Sequence, residues 1–127
     1  MSNAVMRLTL AIFGTGLLLP LVAQAAPGLA SGKAAFQQKC SACHSDVAGK
    51  NGVGPSLFGV YGRAAATAPG YTYSAALKAS GLTWTPANLS AWLDKPSALV
   101  PRNKMGVAPL LKLDEKANLI AYLKSAH

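Results

Sequence analysis

The chain has 127 residues, of which 51% are hydrophobic and 13% charged, and it carries a formal net charge of +8 at pH 7. This length suits one small domain, and the scattered basic residues, with no long basic run and no interleaved aromatic residues, argue against a nucleic-acid-binding protein. The excess positive charge indicates either docking onto an acidic protein face or a generally soluble cationic surface.

Residues 1–25 have the composition of a secretory signal peptide. Arg7 is followed by a mostly apolar stretch, residues 8–22, and small residues flank a cleavage site after Ala25. An uncleaved membrane anchor is the alternative, but the stretch is short for a bilayer and is interrupted by polar residues, glycines and Pro20. We therefore expect export across the membrane, cleavage after Ala25 and one mature domain, residues 26–127.

The first predicted helix leads into the most informative segment of the chain, residues 40–44, which read Cys-Ser-Ala-Cys-His. Ser31 precedes this helix, and Phe36, Cys40 and Cys43 recur on one of its faces. The pattern Cys-x-x-Cys-His is the attachment signature of covalent haem. Two thiols one turn apart can each add to a vinyl group of the same macrocycle, and the adjacent imidazole reaches its iron.

Three other readings of these residues are open. A thioredoxin-like dithiol should lie at a strand-to-helix junction of a βαβ pattern, which the sequence lacks. A zinc site needs four ligands, and Cys40, Cys43, His44 and His127 are the whole supply of cysteine and histidine. A motif without a cofactor is the third reading. We predict one haem, and we expect so short a domain to be poorly folded without it.

The next segment in chain order is a glycine-rich loop, residues 49–62, which either brings its backbone against a flat ring or simply makes turns. The carbonyl of Pro55 in this loop is the natural acceptor for the second ring N–H of His44. After the loop, Ser74 caps a short helix over residues 75–80, and Gly81 provides its left-handed stop.

Two more helices complete the prediction. Thr85 and Pro86 begin the first of them, and Lys95 and Pro96 end it. An apolar face runs along the residues between. Asp114 and Glu115 open the last helix. Its apolar stripe consists of Leu119, Tyr122, Leu123 and Ala126. No alternating strand pattern of useful length competes, so we predict an all-α fold in which the first and last helices pack together.

Met105 is the only methionine outside the leader, and it lies in a polar, proline-containing loop between two helices. An isolated methionine is often core filler, but in such a loop of a haem protein it predicts the sixth iron ligand. The C-terminal His127 is a rival. Iron that is capped by His44 and Met105 has no open position, so we predict an electron carrier of comparatively high potential. A peroxidase is the enzyme alternative, although the chain offers no distal histidine and acid pair.

Taken together, residues 32–124 resemble the class I c-type cytochromes. The matching positions are Gly32, Phe36, residues 40–44, 54–59, 61–63, 70–74 and 81–84, Pro96, and residues 100–105 and 119–123. The resemblance implies a small cytochrome c fold, in which about four to five short helices and glycine- and proline-rich loops wrap around one haem c.

The resemblance also implies a role for individual residues. The implied cofactor-binding set is Cys40, Cys43, His44, Pro55, Arg63, Tyr73, Trp84, Asn103 and Met105. Within it the two cysteines form thioethers, and His44 and Met105 are the metal ligands. Arg63, Tyr73, Trp84 and Asn103 surround or hydrogen-bond the haem propionates, since buried carboxylates need donors. Trp92 takes the place of a family aromatic residue near the methionine.

Three departures from the mitochondrial members indicate a bacterial relative. Leu77 replaces an asparagine near the haem, Arg102 replaces a glycine before the methionine, and Val107 replaces a phenylalanine at the haem edge. These changes leave both predicted ligands in place. They bear on the redox potential, the exposure of the haem edge and the choice of partner.

The function that the resemblance implies is a monomeric electron shuttle of the bacterial periplasm. Its donors would be a quinol-oxidising bc complex or a dehydrogenase, and its acceptors a terminal oxidase, a peroxidase or a photosynthetic reaction centre. We expect redox partners to dock on a haem edge ringed by lysines, with no nucleic-acid partner and no stable membrane insertion after cleavage. The lysines in question are Lys39, Lys50, Lys95 and Lys104. A dedicated subunit of one dehydrogenase complex is the remaining alternative.

Overall fold

The computed structural model describes residues 28–127, so the leader and its expected cleavage after Ala25 lie outside the described residues. The helices of this part, in chain order, are α1 (Leu29–Lys39), α2 (Ala75–Ala79), α3 (Pro86–Asp94), α4 (Pro96–Leu99) and α5 (Leu113–Ser125). Extended pairing within these residues is limited to one isolated bridge between Ala64 and Thr83. The prediction of an all-α fold with four to five short helices is confirmed. Each helix of residues 28–127 is too short or too polar to traverse a bilayer.

Helix α1 begins at Leu29, so the prediction that Ser31 precedes it is wrong, and it ends before the two cysteines, earlier than the sequence predicts. The backbone N–H groups of Cys40 and Ser41 both donate to the Phe36 carbonyl, at 2.8 and 3.0 Å, and this shared acceptor closes the helix. A tight turn follows, in which the His44 N–H donates to the Cys40 carbonyl at 2.9 Å. The prediction that Cys43 lies on the helix is therefore wrong, and the cysteines lie on the turn after it.

Helices α1 and α5 pack directly against each other, which confirms the predicted pairing of the first and last helices. A Cβ atom on Gly32 would lie 2.1 Å from the Asn118 carbonyl oxygen and 2.7 Å from the Tyr122 Cβ. Glycine at this position therefore lets the two backbones approach closely. Beside the crossing, the rings of Phe36 and Tyr122 pack with centroids 5.9 Å apart. The Gly28 N–H donates to Asn118 Oδ1 at 2.9 Å and ties the start of α1 to α5.

Helices α2 and α3 begin at the caps that the sequence predicts. The Ser74 hydroxyl accepts from the Leu77 N–H at 3.1 Å, and the Thr85 hydroxyl accepts from the Asn88 N–H at 3.2 Å. Gly81 follows α2 with a φ of 65°, the left-handed conformation that ends a helix without steric strain in glycine. Both predicted starts and the predicted stop of α2 are confirmed.

Helix α4 is absent from the sequence prediction, because Pro96 signals both the end of α3 and the first turn of a new helix. Helix α5 begins with a cap in which the Lys112 N–H donates to the Glu115 carboxylate at 2.8 Å. Residues 100–112 connect α4 to α5, and we call this segment the methionine loop because it carries Met105.

The buried apolar side chains come from α1, α2, α3, α5 and the loops between them. Leu119 of α5 is the most deeply buried large side chain, with 1% of its surface exposed. Trp84 and Trp92 pack edge to face, with ring centroids 5.1 Å apart and planes at 71°. Several of these side chains form the wall of one internal cavity, which positions the candidate site.

Candidate functional site

A cavity of about 380 Å³ extends into the core and is open at one side. Core side chains from α3 and α5, such as Leu93, Leu119 and Leu123, form part of its wall. It brings together every residue of the predicted cofactor-binding set except Asn103. The members of the set in its wall are Cys40, Cys43, His44, Pro55, Arg63, Tyr73, Trp84 and Met105.

The ring of His44 is held by the glycine-rich loop. Its Nδ1 atom lies 2.7 Å from the Pro55 carbonyl oxygen. A carbonyl can only accept, so Nδ1 carries a hydrogen and donates, and Nε2 is the ring nitrogen left to bind a metal. A Cβ atom on Gly54 would lie 2.3 Å from the His44 ring, so the glycine backbone approaches the face of the imidazole. This geometry holds the imidazole in a fixed orientation, as a metal ligand requires.

The two cysteines lie at the cavity wall on the turn after α1. Cys40 is half-buried and Cys43 is exposed, and neither forms a disulfide. Burial raises the pKa of the Cys40 thiol from 9.0 to about 11, and the neighbouring Cys43 adds to the shift. Within residues 28–127, no three cysteine, histidine or carboxylate side chains are arranged to hold a metal ion, and the zinc reading gains no support.

Met105 contributes its sulfur from the methionine loop. The Nε1–H of Trp92 donates to Met105 Sδ at 3.0 Å, so the tryptophan is near the methionine, as the resemblance implies. The backbone N–H of Met105 donates to Asn103 Oδ1 at 2.7 Å. The rival ligand His127 is exposed and does not line the cavity. Its Nδ1 atom donates to the carbonyl of Lys124 in the last turn of the chain.

Polar side chains of the cavity wall include groups that lack a partner among residues 28–127. Arg63 donates from Nη1 to the Phe58 carbonyl at 2.8 Å, but its buried Nε–H has no acceptor. The Tyr73 hydroxyl accepts from the Ala68 N–H at 3.1 Å and keeps its own proton available. The indole of Trp84 is buried against Trp92. A buried cationic donor without a partner is costly, so this wall suits an anionic group.

The donor chemistry of the cavity fits a haem. Paired thiols suit its vinyl groups, an imidazole lone pair and a thioether suit its iron, and the unpaired Arg63 Nε–H suits a carboxylate. The remaining wall is largely apolar, as a macrocycle requires. Val60, which sequence reasoning did not single out, supplies part of this apolar wall. Only its burial distinguishes it from other apolar residues, so the sequence carries no signal for it.

The three departures lie at different places around the cavity. Leu77 is buried in its wall. Val107 lines the cavity with 78% of its surface exposed, so it lies at the opening. Arg102 does not line the cavity, and its φ of 63° places it in the left-handed region that favours glycine. Among the four predicted lysines, Lys39 and Lys104 line the cavity.

Comparison with known proteins gives consistent results. The family model for cytochrome c matches residues 29–127. Cytochrome c2 iso-2 of Magnetospirillum fulvum is 52% identical over 86 residues, which cover 68% of this chain and 90% of that protein. Cytochrome c2 of Rhodopila globiformis is 44% identical over 94 residues, or 74% of this chain and 89% of that one. The structure of cytochrome cH from Methylobacterium extorquens aligns with a TM-score of 0.69 and 46% identity, covering 76% of this chain and 97% of that chain.

An all-helical domain around a cavity with Cys-x-x-Cys-His in its wall defines a class I c-type cytochrome. The chain belongs to the cytochrome c family. It carries one covalently bound haem c, and it is an electron carrier rather than an enzyme. The resemblance, the fold class, the cofactor and the non-enzymatic function predicted from the sequence are thereby confirmed.

Proposed function

We propose that this chain is a soluble electron carrier of the bacterial periplasm, with residues 26–127 as the mature domain after cleavage of the leader. The observation that carries the proposal is the cavity wall, in which the free Nε2 of His44 and the thioether of Met105 share one site with both cysteines. Bound haem supplies a one-electron couple that needs no substrate position at the metal.

Different residues of the cavity wall would bind different parts of the haem. Cys40 and Cys43 would form the two thioethers, and His44 and Met105 would ligate the iron. The Pro55 carbonyl would keep the imidazole oriented through its 2.7 Å contact with Nδ1. If His44 and Met105 both ligate the iron, no position would remain for a substrate, and the soft sulfur of Met105 would favour the reduced state.

The polar wall would receive the two propionates. The buried Nε–H of Arg63 lacks an acceptor within the described residues, and the Tyr73 hydroxyl has a proton to donate. The Trp84 indole is a third donor in the same wall. These donors would satisfy carboxylates that are otherwise costly to bury.

Partners would dock at the opening of the cavity. Val53 and Val107 line the cavity with 77% and 78% of their surfaces exposed, and Lys39 and Lys104 lie in the same wall. An apolar centre with a cationic surround fits an acidic face of a redox protein. The donor would be a bc complex or a dehydrogenase, and the acceptor a terminal oxidase, a peroxidase or a reaction centre.

Optical spectra of the exported protein in both redox states test the ligand assignment. Wild type should be low-spin in both states, and Met105→Ala should lose the low-spin ferric signature because the sixth position opens. His127→Ala is the matched control and should leave both spectra unchanged. An unchanged spectrum in Met105→Ala would refute the assignment. The mass of the same exported protein, which should begin at Ala26 and include one haem, tests the cleavage.

The rate of electron transfer to isolated bacterial membranes tests the docking proposal. The rate should fall severalfold between about 20 and 200 mM salt, because screening weakens steering by exposed charges. Lys39→Glu and Lys104→Glu should each lower the low-salt rate, whereas Lys33→Glu, an exposed residue of α1 outside the cavity wall, should lower it less. A rate independent of ionic strength would contradict electrostatic steering.

A further inference from the structure

The methionine loop has few backbone hydrogen bonds. In residues 101–111, no backbone N–H makes a well-formed hydrogen bond to a backbone carbonyl of residues 28–127. The turn after α4 has Pro101 followed by Arg102 with a φ of 63°, which is the arrangement of a type II turn that normally places glycine third. An arginine there is disfavoured by its Cβ, so the turn needs other support.

The side chain of Asn103 provides that support. Its Nδ2 donates to the Val100 carbonyl at 2.8 Å, at the start of the turn. Its Oδ1 accepts the backbone N–H of Met105 at 2.7 Å, two residues further on. The planar amide of Asn103 therefore joins Val100, the first residue of the turn, to the backbone of Met105. Both polar atoms of this amide form hydrogen bonds within the methionine loop.

This geometry differs from the role that the resemblance implies for Asn103. A donor to a propionate should lie in the cavity wall, but Asn103 is absent from the residues that line the cavity. Two other contacts hold the neighbourhood of Met105, the Trp92 donor to Sδ at 3.0 Å and the bond from Lys104 Nζ to the Thr72 carbonyl at 2.6 Å. Neither contact reaches the backbone of Met105, so among residues 28–127 the only hydrogen bond of that backbone runs from the Met105 N–H to Asn103 Oδ1.

We propose that Asn103 is a positioning residue, whose amide fixes the backbone from which Met105 presents its sulfur. The proposal rests on the proposed ligation by Met105. Without the clamp, the loop would open more often, and the sulfur would leave its position more often. Asn103 would thus set how readily an added ligand can compete with the methionine.

The experiment uses the exported holoprotein and two readouts. The first is the rate at which added imidazole binds to the ferric protein, which requires displacement of Met105. The second is hydrogen exchange of the Met105 amide, measured by NMR in the reduced protein. In Asn103→Ala we expect both rates to rise roughly tenfold, as the loss of one to two hydrogen bonds implies. Asn103→Asp keeps an acceptor for the Met105 N–H and should give a smaller increase.

Asn88→Ala is the matched control, since Asn88 also donates from Nδ2 to a backbone carbonyl, that of Thr83 at 2.8 Å, outside the methionine loop. It should leave both rates nearly unchanged. The proposal is overturned if Asn103→Ala changes neither rate. It is also overturned if Asn103→Ala alters only the pH dependence of the redox potential, because that result assigns Asn103 to a propionate.

The variant Met105→Ala separates this proposal from the ligand assignment. If imidazole binds to Met105→Ala no faster than to wild type, the ligation proposed for Met105 fails. Amide exchange at position 105 in Asn103→Ala still reports on the clamp in that case. Faster exchange there then supports the clamp without the ligation, and unchanged exchange refutes the clamp as well.

Discussion

Within residues 28–127, the sulfur of Met105 accepts one hydrogen bond, from the indole N–H of Trp92. The Trp92 indole N–H, 3.0 Å from Sδ, can donate but cannot accept, and it does not titrate in the range of protein experiments. The contact therefore withdraws electron density from the sulfur at every accessible pH. A poorer sulfur donor stabilises ferric iron less, so this bond should raise the redox potential.

Replacing Trp92 by phenylalanine should lower the midpoint potential. The variant keeps an aromatic ring in the cavity wall but removes the donor to Met105 Sδ. A net hydrogen bond of about 0.5 to 1 kcal/mol corresponds to roughly 20 to 40 mV for a one-electron couple. Potentiometric titration measures the shift, and Leu89→Val in the same helix and wall should leave the potential nearly unchanged. A higher potential in Trp92→Phe would contradict the argument.

Among the elements, α1 and α5 depend on one another at their crossing. Gly32 faces the Asn118 backbone and Tyr122 so closely that a methyl group has no space. Neither the Asn118 carbonyl nor the Tyr122 Cβ is the mobile end of a flexible side chain. A larger residue can therefore be accommodated only if the helices move apart.

Gly32→Ala should destabilise the protein by about 2 kcal/mol or more, because overpacking of a close helix contact outweighs the better helix propensity of alanine. Denaturant titration of the holoprotein measures the change. Lys33→Ala, an exposed position of the same helix, should stay within about 0.5 kcal/mol of wild type. Wild-type stability in Gly32→Ala would show that the crossing can widen freely.

Helix α5 is also tied to the segment after the haem-binding motif. The Tyr122 hydroxyl donates to Asp46 Oδ2 at 2.5 Å, across 76 residues of sequence. This bond to Asp46, then burial, then the negative charge of Asp46 raise the pKa of Tyr122 from 10.0 to about 12. Because the folded chain favours the protonated phenol, the stabilisation is complete below pH 10 and is lost as the pH rises towards 12.

Tyr122→Phe should remove this pH dependence. At neutral pH the variant should lose about 1 kcal/mol of stability, the net value of one hydrogen bond. Between pH 10 and 12 the difference between wild type and variant should shrink, since wild type loses the bond there. Denaturant unfolding at several pH values measures this difference in the free energy of unfolding. The control is Tyr61→Phe, because the Tyr61 hydroxyl makes no hydrogen bond within residues 28–127. A constant difference across this range would contradict the assignment.

At the scale of the whole molecule, the cavity extends into the hydrophobic core, and core side chains form much of its wall. Leu77, Leu93, Leu119 and Leu123 are buried, and all four line it. Without the haem, the side chains that line this open cavity of about 380 Å³ lose the packing contacts that the macrocycle would supply, so the apoprotein should be much less stable than the holoprotein.

The double variant Cys40→Ser, Cys43→Ser cannot attach the cofactor and should lack cooperative unfolding. Circular dichroism during heating should show a broad, shallow change, in contrast to one transition in the holoprotein. Cys43→Ser alone retains one thioether and should keep a cooperative transition at a lower temperature. A sharp transition in the double variant at the wild-type temperature would show that the chain folds without its cofactor.

Sequence reasoning was most successful where the signal is local. The caps at Ser74 and Thr85 and the stop at Gly81 act through contacts within a few residues, and all three are found. The end of α1 was placed too late because an apolar face can continue past the last helical hydrogen bond. Helix α4 was missed because Pro96 both ends one helix and begins another.

The spacing of the motif near His44 determined the cofactor by itself, because covalent attachment needs two thiols and an imidazole within one short segment, whatever the rest of the chain does. The all-α class followed from the apolar periodicity. Only the tertiary structure decided which partners the polar side chains take. The contacts of Trp92 with Met105 and of Tyr122 with Asp46 join segments far apart in sequence, and the contacts of Asn103 depend on the path of its loop. Such contacts arise from how the chain packs around the cavity, and no local pattern of residues specifies them.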